Sequence, residues 1–354
     1  MNGNQDLPIQ VHDFAEVVEG FYLETTDGLF FAVKGMEHPP DRRIAVLRYV
    51  PDPSGGSRKK GNTAYRRMYH FDEQERFIRT ACPQYLSYDP VFQTTLQGVP
   101  IGQVRTVFDP RKKFREMAEA GARAEIENDA FAFLSRLQTE AGVPPSALGI
   151  TGSLLIGLYT ETSDLDAVVF GTENCYRVYR ALQRMLDAAQ DGELRRLNAV
   201  EMKELFTQRA ADTQMNYDDF LALESRKVNQ GVFRERTYFV RFVKEAQEIE
   251  DAYGRLRYTP LGRSVITASI ADDRDRIFTP CRYALSDIRI LKGPQLTDLN
   301  EIVSFRGRFC EQARTGEAVR ASGTLEHIQN SNGGTRHRLL LGNSPEDHMT
   351  VSGI

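Results

Sequence analysis

One segment restricts the architecture of this chain more than any other: Ile150 to Gly171, ITGSLLIGLYTETSDLDAVVFG. A short apolar strand, a Gly-Ser bend, an apolar helical stretch and a polar turn lead into an acid-x-acid pair at the head of a second apolar strand. Such an order has to pack as one α/β unit. On a strand, residues two apart share a face, so Asp164 and Asp166 point the same way, with α-carbons about 7 Å apart. Two carboxylates at that spacing repel unless something cationic lies between them. Val168 and Phe170 continue the same face as apolar core, which leaves the two acids at the rim where a cleft can open.

Paired hard oxygen ligands of this kind suit Mg²⁺ (or Mn²⁺), which takes one or two protein carboxylates and fills its other positions with water and substrate phosphate. Two such ions about 3.5 to 4 Å apart would serve in-line phosphoryl or nucleotidyl transfer. Gly152 lets the backbone approach a ligand closely. Ser153, opening a helix, turns free N–H groups outward, which suits a triphosphate tail. Gly-Ser before a helix is by itself an ordinary cap, and one acid-x-acid pair an ordinary strand edge. Their order here, joined by an apolar helix, makes them a joint candidate.

These residues resemble the signature of the nucleotidyltransferase superfamily with the DNA polymerase beta-like fold, hG[GS] followed after a gap by Dh[DE]h. The whole chain looks like prokaryotic, chiefly archaeal, predicted nucleotidyltransferases of unestablished substrate. The specific motif covers only the segment quoted above, and the supporting pattern of elements runs from Glu125 to Lys244. The resemblance implies an ATP- or other NTP-binding, metal-dependent transferase that moves a nucleoside monophosphate to an acceptor hydroxyl on a nucleic acid, a protein or a small molecule, releasing pyrophosphate. Asp164 and Asp166 would then be the catalytic metal ligands, and Gly152 and Ser153 the contacts to the nucleotide phosphates. A third carboxylate on a later strand would help to activate the acceptor.

The sequence departs from that pattern at the third carboxylate. The strand expected to carry it, Thr237 to Val243, has Arg241 as its only internal charge, and an arginine stays protonated at any working pH. Glu235 just before the strand, or Asp272, Asp273 or Asp275 beyond it, could reach over. Alternatively, Arg241 neutralises the acid pair and leaves a catalytically inactive nucleotide-binding protein on the same fold. Cations thicken around this strand: Arg226, Lys227, Arg234, Arg236, Arg241 and Lys244. Lys227 and Arg234, flanking an expected Asn229-Gln230-Gly231 turn, are the candidates for triphosphate contact.

The rest of the chain sets limits. Its 354 residues fit two or three domains. With 45 Lys and Arg against 49 Asp and Glu, net charge −4, any nucleic-acid binding must rest on local basic clusters. One is Pro51 to Arg67, where Arg58, Lys59, Lys60, Arg66 and Arg67 stand among turn formers and read as a mobile basic loop. Another, Arg111, Lys112, Lys113 and Arg115, follows Pro110 at the first position of a helix that Gly121 should break or bend. Four scattered cysteines and six histidines show no metal-ligand spacing. The polar stretch Met1 to Asp13 and the lack of long apolar runs point to a cytoplasmic protein with no membrane partner. No P-loop, Rossmann glycine fingerprint or G-x-S-x-G elbow is present.

The expected fold is α+β and multidomain. Residues 1–124 form an N-terminal α/β domain with the basic loop, 125–250 the polymerase-beta-like nucleotidyltransferase domain with a mixed sheet and helices, and 251–354 a C-terminal antiparallel β barrel or sandwich. This last part resembles an OB-type barrel in strand count. Phe305, Arg306, Arg308, Phe309 and Arg320 would then suit stacking and charge contacts with single strands. RNA or DNA is thus a candidate acceptor through local basic clusters, and a nucleic-acid-binding protein on the same fold is the other reading.

Overall fold

The computed structural model describes residues 14–68, 71–119, 124–188, 192–209, 215–249 and 252–352. The stretch Met1 to Asp13 and the bend expected at Gly121 lie outside them. The described chain is mixed α+β with three sheets.

The N-terminal part is richer in strand than the sequence suggests. Its strands are β1 (Tyr22–Thr25), β2 (Phe30–Val33), β3 (Arg42–Pro51), β4 (Arg58–Lys60), β5 (Thr63–Arg67), β6 (Leu86–Asp89), β7 (Thr94–Pro100) and β8 (Val104–Phe108), with one helix, α1 (Phe71–Ala81). All pairings are antiparallel, in the order β4-β5-β3-β2-β1-β8, and β7 joins the far end of β3 and carries β6. Asp27-Gly28 lies in the turn between β1 and β2, with Gly28 at φ +80°. The basic stretch is not a free loop. Arg58 and Lys60 lie on the β4–β5 hairpin, and their side chains donate to the carbonyls of Leu158 and Ile156. Lys60 also sits over the rings of Phe30 and Phe108.

The central unit comprises α2 (Pro110–Glu119), α3 (Glu125–Ala141), β9 (Leu148–Ile150), α4 (Gly152–Ile156), β10 (Leu165–Phe170), α5 (Thr172–Ala188), β11 (Leu194–Arg195), α6 (Ala199–Arg209), α7 (Tyr217–Glu224), β12 (Gln230–Phe233) and β13 (Arg236–Val243). Its sheet runs β11-β12-β13-β10-β9, parallel only between β10 and β13. One face, with Leu165, Ala167, Val169, Tyr238, Val240 and Phe242, shares a core with α3 (Phe133, Leu134, Leu137) and α5 (Val178, Leu182). Phe114 and Met117 of α2 lie in that core too, so the boundary expected near residue 124 falls between two helices that pack together. The opposite face, with Val168, Phe170 and Val243, packs into the N-terminal core beside Leu23, Phe31 and Leu47.

The C-terminal strands are β14 (Leu256–Asp272), β15 (Cys281–Lys292), β16 (Leu299–Ser304), β17 (Ala318–Asn330), β18 (Thr335–Leu341) and β19 (His348–Val351). They pair in the order β14-β15-β16-β18-β17, and β17 pairs back onto β14, so five strands close a barrel, with β19 added on β17. The β16–β18 pair is parallel; the other pairs are antiparallel. Closure gives the barrel of the two expected forms, with five strands in the ring, while the parallel β16–β18 pair departs from the antiparallel pairing expected throughout. Phe309, expected to stack on a ligand, is 3% exposed in the barrel core and has no face to offer.

Candidate functional site

A cleft of about 1080 Å³ is bounded by all three parts. The N-terminal sheet contributes Tyr22, Lys34, Arg48 and Arg67, the central unit Gly152, Ser153, Asp164, Asp166 and Arg241, and the barrel Arg282, Phe305, Arg306 and Arg308. Twelve Lys and Arg side chains line it against eight Asp and Glu. A chain that is acidic overall thus keeps a cationic interior here, which draws anions in.

The acid pair lies on the wall of this cleft. Asp164 is exposed just ahead of β10, and Asp166, half-buried, is its second residue. Thr237 Oγ1 donates to Asp164 Oδ1. The Asp166 carbonyl accepts the Thr151 N–H at 2.9 Å, and Thr151 Oγ1 donates to the Gly20 carbonyl at 2.6 Å. The bend before α4 is therefore tied both to the acid-bearing strand and to the N-terminal part. Gly152 stands there at φ +66°, and a β-carbon on it would come within 2.0 Å of Asp166 Oδ2. Only glycine gives that carboxylate its place.

Among the described residues, none donates a hydrogen bond to the Asp166 carboxylate. Burial, and next the charge of Asp164, push this carboxyl up to about 6, against the opposing pull of Arg67, Arg241 and Arg48. A buried carboxylate without a donor, beside a second negative charge, is relieved by a hard cation. The donor set of Asp164 and Asp166 fits Mg²⁺ or Mn²⁺, the remaining positions falling to water and phosphate. Among the described residues no group of three or more His, Cys, Asp or Glu converges to hold a metal ion.

The missing third acid follows from the neighbouring strand. β13 runs parallel to β10 with Phe239 opposite Asp166 and Arg241 opposite Val168, so Thr237, Phe239 and Arg241 share the sheet face of Asp166, and of these three Arg241 lines the cleft. Arg241 does not reach over the carboxylates as a fixed clamp. Its Nη1 lies 2.9 Å from Glu19 Oε1, which also accepts Lys34 Nζ at 2.9 Å, while Glu19 Oε2 accepts the Gly35 N–H at 2.8 Å. Glu19 is 1% exposed. Burial holds the Lys34 ammonium down to about 8, Glu19 opposing and Arg241 reinforcing. Of the other acids considered from sequence, Asp275 lines the cleft but pairs with Lys244 at 2.9 Å. Asp272 and Asp273 pair with Arg274 and Arg276 outside it. Glu235 occupies the turn between β12 and β13 at φ +67° and does not line the cleft.

Gly152 and Ser153 are thus brought to the acid pair, and Lys227 and Arg234 are not. Lys227 has a 1%-exposed side chain that donates to Glu224 Oε1 and to the Arg308 carbonyl, each at 2.6 Å. Arg234 sits at the β12–β13 turn, paired with Glu193 at 2.9 Å and near Asp129 at 3.7 Å. Residues 229–231 form no open turn, because Gln230 and Gly231 begin β12 and pair with β13. The cations whose charge acts on Asp166 are Arg67 and Arg48, from the N-terminal sheet, together with Arg241. Arg48 left a trace in the sequence: in RRIAVLRYVP it falls on the alternate positions shared with Ile44 and Val46, the half-buried side of β3.

A protein of Methanocaldococcus jannaschii described as uncharacterized protein MJ1086 is 27% identical over 332 residues, covering 92% of this chain and 95% of the relative. No family model and no solved structure matches. No helix among the described residues is long and apolar enough to cross a membrane.

Proposed function

We propose that the cleft takes up a nucleoside triphosphate together with Mg²⁺ or Mn²⁺ and moves the nucleoside monophosphate to an acceptor hydroxyl, releasing pyrophosphate. The observation that carries this reading is the Asp166 carboxylate, which receives no hydrogen bond among the described residues, beside Asp164 on the wall of a large cationic cleft. Both carboxylates would hold the ion, which when bound stabilises charge on the transferring phosphorus and acidifies a coordinated hydroxyl. Gly152 clears space for the Asp166 carboxylate, and Thr237 orients Asp164 by its hydrogen bond. Arg48 and Arg67 meet the negative charge of the triphosphate. RNA or DNA is the candidate acceptor, since the barrel brings Arg282, Arg306 and Arg308 to the same cleft.

A second reading has its own support: Arg241 stands on the strand where a third acid is expected, so the domain could bind nucleotide without turning it over. One experiment separates the two. The protein is incubated with each labelled NTP, Mg²⁺ or Mn²⁺, and cellular RNA, DNA and protein, and the same is done with Asp166→Asn. Transfer of label with pyrophosphate release, lost in Asp166→Asn, is the expected result. An NTP-dependent rise in melting temperature without pyrophosphate would favour the silent binder, and transfer retained by the variant would remove the site.

A further inference from the structure

Away from the cleft, two histidines of the barrel meet. His327 on β17 and His337 on β18 are direct register partners. Side-chain alternation puts both on the face that carries Leu325 and Leu339 into the barrel core. His327 Nδ1 lies 3.1 Å from His337 Nε2. The remaining nitrogen of His337, Nδ1, lies 2.7 Å from Asp298 Oδ1 in the turn leading to β16. His337 is 8% exposed, while His327 is half-buried and reachable from solvent.

We propose that His327 and His337 bind a divalent transition-metal ion, with Asp298 as the orienting carboxylate and water in the remaining positions. A tetrahedral ion with two metal–nitrogen bonds of about 2.0 to 2.1 Å holds its nitrogens about 3.3 Å apart. The two rings stand close to that spacing. A carboxylate on the far nitrogen of a ligating histidine fixes the tautomer and raises the basicity of the ring. Asp298 Oδ1 lies 2.7 Å from Nδ1 but out of line for a hydrogen bond in this structure; a small turn of the ring on metal binding would bring the Nδ1 proton onto it and leave a lone pair on Nε2. Imidazole nitrogens favour Zn²⁺, Ni²⁺ or Cu²⁺ over Mg²⁺, so this ion is chemically distinct from the one suited to Asp164 and Asp166. Bound, it would join β17 to β18 and, through Asp298, to the approach to β16.

The test uses the full, tag-free chain stripped with chelator and titrated with Zn²⁺ against a chromophoric competitor, with Mg²⁺ in excess. The wild type is expected to bind one Zn²⁺ that Mg²⁺ does not displace, and Asp166→Asn to bind it equally well. His327→Gln and His337→Gln should weaken it by about 100-fold or more, and Asp298→Asn by about 10- to 100-fold. Asp298→Asn keeps both rings, so it reports on the site even if a histidine variant misfolds. The melting temperature of the wild type should rise with Zn²⁺ and not with Mg²⁺. Equal affinity in the wild type and the histidine variants, or a wild type that Zn²⁺ neither binds nor stabilises, overturns the site. Unchanged affinity in Asp298→Asn alone removes the orienting role.

Discussion

At Asp166, burial and a neighbouring negative charge act in the same direction, and the result has a sign that can be measured. The carboxyl rises from 3.8 to about 6 in the folded chain. Its contribution to stability is therefore fully present below the unfolded value and is lost as pH rises through about 6. Asp166→Asn, which cannot ionise, is expected to gain on the wild type above pH 6, by at most about 3 kcal/mol, and to show little gain near pH 4. Urea denaturation of both proteins at the two pH values checks this, and Mg²⁺ should narrow the difference at high pH. Gly152→Ala probes the same carboxylate from the other side. Its strained φ and the clash with Asp166 Oδ2 should cost roughly 1 to 3 kcal/mol and abolish label transfer. The acid pair and Gly152 were legible in the sequence because period-two alternation and a small residue at a bend are local properties. The cations were not, since a lysine paired with a buried glutamate and an arginine facing an open cleft read alike until their partners are known.

The same limit explains the misplaced phosphate contacts at the scale of elements. The run from Arg226 to Lys244 combines cations and aromatics, and in the fold it becomes a structural seam. Lys227 neutralises Glu224, which also takes Arg209 at 2.9 Å and Gln230 Nε2 at 2.7 Å. Lys227→Met would leave Glu224 buried with one counter-ion fewer, a loss of about 3 to 5 kcal/mol. Chemical denaturation is expected to show that loss, while nucleotide affinity at a temperature where the variant is folded stays unchanged. The basic hairpin is the parallel case at the other end of the chain. Gly, Ser, Asn and Lys predict a loop by composition, yet the carbonyls of Leu158 and Ile156, a hundred residues away in sequence, receive Arg58 and Lys60. A helix start fared better: α2 begins at Pro110, the first helical position read from the sequence, because a proline's fixed φ and missing N–H are local properties.

The cleft exists only because three sheets are held in one arrangement, and the joint between central unit and barrel includes Glu311. This residue is 0% exposed. Its carboxylate accepts the N–H groups of Val228 and Asn229, the latter at 2.9 Å, and the Tyr179 hydroxyl at 2.8 Å. Nearby, Arg226 makes two hydrogen bonds to Glu317, and Phe278 of the barrel entry lies in the central core. With cores and ion pairs shared in this way, central unit and barrel are expected to melt as one cooperative unit in calorimetry. Glu311→Ala strands two backbone donors and a tyrosine hydroxyl away from water, at roughly 1 to 3 kcal/mol for each unsatisfied group. The barrel should then separate as an earlier transition, and label transfer should fall because Arg282, Arg306 and Arg308 lose their fixed distance from Asp166. Asp41→Ala, which removes an exposed partner of Arg42, should move the melt by no more than about 0.5 kcal/mol and leave transfer intact. A single unchanged transition in Glu311→Ala would mean that the apolar contacts alone hold the barrel against the central sheet.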